Sequence, residues 1–182
     1  MIRGEKVILR PIEGEDIEIF LKWFNDPEIT QYLLFGLSLT REKEEKWIEE
    51  TNLSEDSVVF VVESIGDFGQ LNFAVGNCGL HSINWVDRSA TIGIAIGEKD
   101  CQRKGYGFEA LNLLIKYAFE TLNLNRISSS VVKFNEASLK LHQKLGFVVD
   151  GIRRKAKFRN GDYHDEIILG LLREDWRKVL KW

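Results

Sequence analysis

The sequence predicts an α+β fold in which helices pack around one mixed sheet. Residues 91–96 have the alternating pattern of a strand and lead through a glycine-containing turn into an amphipathic, helix-like segment. Near the end of the chain, Asn160-Gly161 stands between two strand-like segments and is the strongest short signal for a β-hairpin. Together these observations indicate a sheet with a helix-bearing crossover in its middle and a hairpin at its end.

The first half of the chain is predicted to form one strand, two helices and then three strands. Pro11 ends the first strand, and Asn25-Asp26-Pro27 breaks the first helix. Thr40 is of the residue type that commonly caps a helix N-terminus, so the second helix begins after it. The predicted segments are strand 7–10, helix 13–24, helix 41–50 and strands 58–62, 73–80 and 90–96.

The second half is predicted to continue as helix, strand, helix and hairpin. Gly146 is placed directly after the second of these helices, because glycine enters the left-handed backbone conformation at little cost. The predicted segments are helix 108–122, strand 126–132, helix 135–145 and hairpin strands 147–158 and 163–172.

The composition favours a single domain over residues 1–182, since 44% of the residues are hydrophobic and 29% are charged. Cys78 and Cys101 lie far apart without the spacing of metal ligands, so neither a metal site nor a disulfide framework is predicted. No apolar segment approaches membrane-spanning length, and no apolar signal region opens the chain. We therefore expect a soluble, cytoplasmic protein with no membrane partner.

The charge of the chain is unevenly distributed. The net charge is −3, yet residues 1–56 carry 14 Asp and Glu against 7 Lys and Arg. This acidic excess is either the solvated surface of the first helices or a region that receives a cation. The basic residues form no concentrated stripe, so no nucleic-acid partner is predicted.

The segment Gln102-Arg103-Lys104-Gly105-Tyr106-Gly107 joins the predicted strand to the predicted helix. A helix N-terminus offers unpaired N–H groups, and adjacent glycines let an anion approach the backbone. The glycines either permit close packing of the helix or admit a phosphate group. A dinucleotide is disfavoured, because Lys133 follows the next strand where a ribose-binding acid would stand. Besides close packing, the third interpretation is the pyrophosphate of coenzyme A, which the family resemblance of this segment implies.

The same segment resembles the Q/R-x-x-G-x-G/A signature of the GNAT superfamily of acyl-CoA-dependent N-acetyltransferases. Residues 135–147, NEASLKLHQKLGF, resemble a second block of that superfamily, N-x-x-A-x-x-L-Y-x-K-x-G-F. Residues 23–30 and 161–166 look like the branch that acetylates ribosomal-protein N-termini, the Rim-type branch. The resemblance implies the GNAT fold, with a mixed central sheet of about seven strands, flanking helices and a C-terminal β-hairpin.

The resemblance also implies a binding site for acetyl-CoA as co-substrate. Backbone N–H groups of the loop would hold the pyrophosphate, and residues 94–96 would pair with the pantetheine arm. Asn135 would hydrogen-bond the pantetheine amide, cap the following helix, or do both. The implied cofactor-binding residues are Ile94, Ala95, Ile96, Gln102, Arg103, Lys104, Gly105, Tyr106, Gly107 and Asn135.

The implied chemistry is direct attack by an amine on the thioester, in a ternary complex. His142 stands where the family usually has a tyrosine, so it is either the general acid for the leaving thiolate or an ordinary helix histidine. Thr91 and Ser130 stand where relatives often have a glutamate base. The base is then a water chain or a side chain that the sequence cannot single out; the candidates are His81, Glu98, Asp165 and Glu166.

An α-amine suits a site without a strong base, because its pKa is about 7.7–8.0 whereas that of a lysine-like amine is about 10.4. The favoured acceptor is therefore a protein or peptide N-terminus. The alternatives are a small amine, such as a polyamine, amino sugar or antibiotic, and a non-catalytic CoA-binding module.

Aromatic side chains in the first third of the chain either line the acceptor cleft or belong to the core; they are Trp23, Tyr32, Phe35 and Trp47. Trp176 and Trp182 near the end of the chain pack either on the sheet or on a partner. A homodimer is the partner that we expect in the second case.

Overall fold

The computed structural model describes residues 1–33, 38–66 and 72–179. In these residues eight strands form one sheet, in the order β1-β2-β3-β4-β5-β6-β8-β7. The sequence predicts about seven strands; the additional one is β1, whose two residues are too few to show a period. The strands are β1 Ile2–Arg3, β2 Val7–Pro11, β3 Val58–Ser64, β4 Phe73–Asn84, β5 Ser89–Ile96, β6 Arg126–Val132, β7 Val148–Arg159 and β8 Asp162–Leu172.

Six α-helices lie in the described residues. They are α1 Ile17–Phe24, α2 Pro27–Thr30, α3 Arg41–Leu53, α4 Tyr106–Lys116, α5 Glu136–Lys144 and α6 Arg173–Val179. The helices α2 and α6 were not predicted. Pro27 ends α1 as expected and also opens α2, since proline fits the first helical position and the Asp26 side chain caps the Glu28 N–H group. Helix α4 begins two residues earlier than predicted, and its continuation is a wider π-helical turn, Tyr117–Thr121.

The sheet divides between β5 and β6, its one parallel pair among the described strands. The parallel ladder joins only three residue pairs and ends at Thr91 and Ser128. Beyond this point β5 pairs only with β4, and β6 pairs only with β8. A slot therefore opens between residues 92–96 of β5 and residues 129–132 of β6, and we call this division the fork.

Hydrophobic cores cover both faces of the sheet. On the first face, which we call the α4 face, Leu111 and Leu114 of α4 pack in one cluster with Ile127 and Leu169 of the strands. On the opposite face, the α1 face, Phe20 and other residues of α1 and α3 form the second cluster. The strand β5 contributes to both, because successive side chains of a strand point to opposite faces.

Local predictions around the turns are confirmed. Asn160 and Gly161 have φ values of 51° and 88° between β7 and β8, as a type I′ hairpin requires. Gly146 follows α5 with a φ of 95°.

Trp176 is buried and packs on Phe119 of its own chain, with ring centroids 5.4 Å apart, whereas Trp182 lies outside the described residues.

Cys78 and Cys101 are both buried and free. Within residues 1–33, 38–66 and 72–179, no cluster of His, Cys, Asp and Glu is arranged to hold a metal ion. None of the helices in these ranges has the length and apolar character needed to span a membrane.

Candidate active site

The loop between β5 and α4 has a backbone shaped for an anion. Arg103 has a φ of 60°, and Gly105, the N-cap of α4, has a φ of 94°. Left-handed residues within such a turn direct successive N–H groups toward one side, which forms a concave seat for an anion. No N–H group from Arg103 to Phe108 donates to an acceptor in the described part of the chain. The loop and the helix start thus offer unpaired donors and the positive end of the helix dipole.

Gly105 and Gly107 have different structural roles. A Cβ atom at Gly105 would require a strained left-handed backbone and would lie 3.4 Å from Lys6 Nζ. A Cβ atom at Gly107 would lie 3.4 Å from Ile96 Cγ1 and 3.6 Å from Ile94 Cδ1. Gly107 therefore lies where α4 packs on β5, and a Cβ atom there would make ordinary van der Waals contacts, while the left-handed Gly105 sets the direction of the loop.

Two polar side chains anchor the loop to the rest of the chain. Gln102 Nε2 donates a 3.0 Å hydrogen bond to the carbonyl oxygen of Ile96, the last residue of β5. Lys6 Nζ donates to the carbonyl oxygen of Lys104 at 3.4 Å and so adds a cation beside the loop. Lys6 is not among the cofactor-binding residues that the sequence implies. Its contact with the loop joins residues 98 positions apart, and no local sequence pattern predicts such a contact. The contact of Gln102 with the cofactor stays a prediction.

The edge of β5 along the slot fits an extended ligand with amide groups. Ile94 and Ile96 pack on the α4 face and Ala95 packs on the α1 face, so only the backbone edge faces the slot. This edge has no strand partner among the described residues beyond Thr91. A strand edge presents N–H and C=O groups, which can bind an extended partner as an additional strand does.

Asn135 caps α5, as one of its two sequence-based interpretations predicts. Its Oδ1 accepts a 3.1 Å hydrogen bond from the Ser138 N–H group. Its Nδ2 group has no acceptor in the described residues and stays available as a donor. Capping and contact with a pantetheine amide are thus compatible, and the second stays a prediction.

His142 lies behind the vertex of the fork and is only 2% exposed. Its Nδ1 lies 2.8 Å from the Ser138 carbonyl oxygen, which can only accept, so Nδ1 carries the proton. Burial lowers the pKa of His142, and the hydrogen bond to Ser138 only partly offsets this effect. In the neutral ring Nε2 is an acceptor, and it lies 2.9 Å from Ser129 Oγ.

Ser129 separates His142 from the slot. It is the first residue of β6 after the last parallel pair, and its Oγ lies 3.4 Å from the Ile92 carbonyl oxygen across the fork. The sequence offered no signal for Ser129, because its importance comes from the register of two strands. The general-acid role of His142 stays a prediction, and the structure adds that Ser129 stands between its Nε2 and the slot.

Three of the side chains proposed from sequence as the general base, Glu98, Asp165 and Glu166, are paired with cations. Glu98 lies 3.1 Å from Lys22. A hydrogen bond from Lys133 lowers the pKa of Asp165. Glu166 is buried, which raises the pKa of its carboxyl group, but hydrogen bonds from Lys157 and Ser130 and nearby positive charges outweigh this effect, so that its pKa is lowered.

A cavity of about 360 Å³ lies between α2 and the loop. Its lining residues are Glu28, Ile29, Gln31, Tyr32, Lys99 and Gln102. Of the aromatic residues considered as cleft walls, Tyr32 lines this cavity. Trp23 belongs to the core, and Trp47 packs edge-on against Phe20. Phe35 lies outside the described residues.

The forked sheet, the anion-binding loop and the free edge of β5 define a class of protein that binds an extended ligand with a phosphate group against a split sheet. Residues 6–148 match the family model of the acetyltransferase (GNAT) domain. The chain belongs to the GNAT acetyltransferase family. It is an N-acetyltransferase with acetyl-CoA as co-substrate.

Individual relatives differ in their acceptors. The spermidine N(1)-acetyltransferase of Escherichia coli (strain K12) is 31% identical over 173 residues, which are 92% of this chain and 86% of the relative. The putative ribosomal N-acetyltransferase YdaF of Bacillus subtilis (strain 168) is 37% identical over 101 residues, 56% of this chain and 55% of the relative. The likeness to a ribosomal-type enzyme is thus partial.

Among solved structures, the fold is similar to spermidine N-acetyltransferase from Vibrio cholerae in complex with CoA and spermine. The TM-score is 0.87 at 25% identity, over 96% of this chain and 99% of that chain. The fold predicted from sequence is therefore confirmed, whereas the acceptor is not determined by these similarities.

Proposed function

We propose that the chain acetylates the α-amino group of a peptide or protein N-terminus, in the manner of the ribosomal-protein branch. The observation that carries this proposal is the ion pairing of the carboxylates near the slot and the 360 Å³ cavity, where the acceptor would bind. Four carboxylates near the slot and the 360 Å³ cavity, those of Glu28, Glu98, Asp165 and Glu166, already have a cation as partner. An acceptor with additional ammonium groups would have to compete with these cations for the four carboxylates.

The cavity beside the loop illustrates this pairing. Lys99 Nζ lies 2.7 Å from a carboxylate oxygen of Asp26 and 2.7 Å from one of Glu28. Both acids belong to the acidic first third of the chain, which the sequence suggests as a possible receiver of a cation. The Lys99 ammonium group already neutralises these two carboxylates. The cavity therefore offers little electrostatic attraction to a polyamine.

The hairpin of β7 and β8 meets the segment after α2. Arg159 Nη2 donates to the Leu33 carbonyl oxygen at 2.5 Å, and the ring of Phe134 lies between Tyr32 and His164. Strand β7 carries five cationic residues, Arg153, Arg154, Lys155, Lys157 and Arg159. A terminal α-amine that carries a single charge suits such surroundings better than a polycation does.

Acetyl-CoA supplies an activated thioester carbonyl, and the residues of the chain orient it. The loop N–H groups would hold the diphosphate, the edge of β5 would pair with the pantetheine arm, and Asn135 Nδ2 would donate to one of its amides. Ser129 and His142 would stand at the closed end of the slot.

A polyamine acceptor is the second candidate, and the similarity to spermidine acetyltransferases supports it. One described carboxylate also favours it: Glu44 on α3 is 2% exposed, and its Oε1 has no hydrogen-bond partner. A buried carboxylate without a partner is costly, and a bound ammonium group would relieve that cost.

The test is thiol release from acetyl-CoA with matched acceptors. The panel contains short peptides with a free N-terminus, the same peptides with a blocked N-terminus and an internal lysine, spermidine, and an aminoglycoside. We expect the free N-terminus to give the highest kcat/KM. A preference for spermidine would establish the second candidate. If no acceptor releases thiol although acetyl-CoA binds, the chain is a non-catalytic binding module.

A further inference from the structure

We propose that His81 is the general base that takes the proton from the attacking amine. This inference rests on the proposed direct attack and adds the residue that the sequence left open. It stands on the position of the imidazole beside the fork, on its freedom from other hydrogen bonds, and on the cavity that adjoins it.

The register of the sheet places His81 beside the fork. His81 of β4 is the partner of Thr91 of β5, and Thr91 also belongs to the last parallel pair with β6. The family resemblance implies that Thr91 stands where relatives often carry a glutamate base. The imidazole thus stands one strand away from that position, on the same face, since paired residues of neighbouring strands share a face.

Two glycines provide the space for this ring. A Cβ atom at Gly79 would lie 3.1 Å from His81 Nε2, and one at Gly93 would lie 4.0 Å from it. Gly93 is the second residue of β5 beyond Thr91 and therefore lies on the free edge along the slot. The Nε2 atom consequently lies over the β4–β5 ladder, nearer to Gly79 than to Gly93, and one strand away from the free edge of β5 that would pair with the pantetheine arm.

The ring nitrogens of His81 are free to exchange a proton. Neither accepts or donates a hydrogen bond in the part of the chain that the structure describes. A cavity of about 210 Å³ adjoins the ring and is lined by Trp47, Glu50, Thr51, Ser54, Ser57 and His81. Because Glu50 is exposed, this cavity reaches the surface, and a proton can leave through it to solvent.

The surroundings favour the neutral, basic form of the ring. Burial lowers the pKa of His81, and the negative charge of Asp56 only partly opposes this effect. The charged groups that face the ring are Asp56, which precedes β3, and Glu50 of α3, which is paired with Lys46 at 3.6 Å. A histidine whose pKa is lowered is unprotonated at neutral pH and can accept a proton. The carboxylates of Asp165 and Glu166 are intrinsically weaker bases than an imidazole, and their lowered pKa values weaken them further.

The proposed step is balanced in atoms and charge. The amine nitrogen forms a bond to the thioester carbonyl carbon, and the C–S bond breaks with its electron pair remaining on sulfur. The surplus proton of the nitrogen passes to His81 Nε2 and from there to solvent. The products are the acetamide and the CoA thiolate, and neither needs an oxidant or reductant.

The experiment compares His81→Gln with wild type in the pH dependence of kcat/KM for a peptide acceptor. General bases contribute about 10²- to 10⁴-fold. We expect His81→Gln to lose about 100-fold at pH 7 and to recover part of this loss at higher pH, where the amine deprotonates by itself. Acetyl-CoA affinity by calorimetry is expected to stay within about twofold. Thr51→Val, a change in the same cavity without loss of a base, is the matched control and should keep the wild-type profile.

A rescue variant tests whether the activity lost in the His81 variants comes from the missing base and not from a structural change. His81→Ala combined with Thr91→Glu supplies a carboxylate from the paired position on β5, and we expect it to regain at least tenfold over His81→Ala. A wild-type pH profile in His81→Gln would overturn the role of His81 while the proposed function stands. Absence of thiol release with every amine in the wild type would instead remove the proposed function, and the base with it.

Discussion

The hydroxyl group of Ser129 and the imidazole of His142 form a 2.9 Å hydrogen bond at the vertex of the fork. This bond ties α5 to β6 at the residue where β5 and β6 separate. The pair is buried, since Ser129 is 4% and His142 is 2% exposed. The geometry of the slot therefore depends on a polar contact between residues 13 positions apart in sequence.

Replacement of His142 by phenylalanine is expected to lower turnover much more than acetyl-CoA affinity. The change removes the 2.9 Å acceptor of the Ser129 hydroxyl group and leaves it only the more distant Ile92 carbonyl oxygen at 3.4 Å, so the cost is expected to stay at the lower end of the about 1–3 kcal/mol for a buried polar group that loses its partner. Steady-state kinetics, calorimetry and urea unfolding give the three quantities.

Ser129→Ala is the companion variant for this test. If the two side chains act as one unit, the double variant should be no worse than His142→Phe alone, which a double-mutant cycle measures. Unchanged turnover in His142→Phe would remove His142 from the mechanism.

Gly105→Val is expected to abolish acetyl-CoA binding in a folded protein. Valine at a φ of 94° is strained, and its side chain would occupy the approach to the loop N–H groups. Gly161→Val is the matched control, because Gly161 has a φ of 88° in the β7–β8 turn with no atom near a built Cβ. Both variants should lose thermal stability, whereas calorimetry should show the loss of affinity only in Gly105→Val. Wild-type affinity in Gly105→Val would refute the anion seat.

The stability of the fold is expected to decrease in mildly acidic solution. The pKa of His142 is lowered by burial, so the unfolded chain binds a proton more readily than the native protein. Both states are neutral well above about pH 6.5, the ordinary histidine value, and stability is lost as the pH falls below it toward the lowered native pKa. Urea unfolding between pH 8 and pH 5 measures this change. His142→Gln should show a flatter dependence; an equal slope would attribute the loss to other groups.

Glu44→Gln distinguishes the two candidate acceptors. Burial raises the pKa of Glu44, and its Oε1 lacks a partner, so a neutral amide of equal shape is expected to stabilise the fold by about 1 kcal/mol. With a peptide acceptor, KM should stay unchanged. Glu45→Gln, an exposed neighbour on the same helix, is the control. An increase of tenfold or more in KM for spermidine, specific to Glu44→Gln, would support the polyamine acceptor.

Much of the nucleotide-binding end of the site follows from local sequence. The left-handed Gly105, the cap at Asn135 and the Asn160-Gly161 turn are each decided by a few neighbouring residues, because backbone conformation and capping are local effects. For the same reason strand 126–132 was predicted with its observed bounds, and the start of α4 was predicted to within two residues.

Only the tertiary structure determines which side chains meet at the fork. The pairing of His81 with Thr91, the contact of Ser129 with His142 and the ion pairs of Asp165 and Glu166 depend on strand register and on the packing of helices across the sheet. A sequence pattern shows which side chains can ionise or donate, and it shows the period of each element. It does not show which of them meet, because the distances between elements far apart in the chain are set by the packing of the whole core.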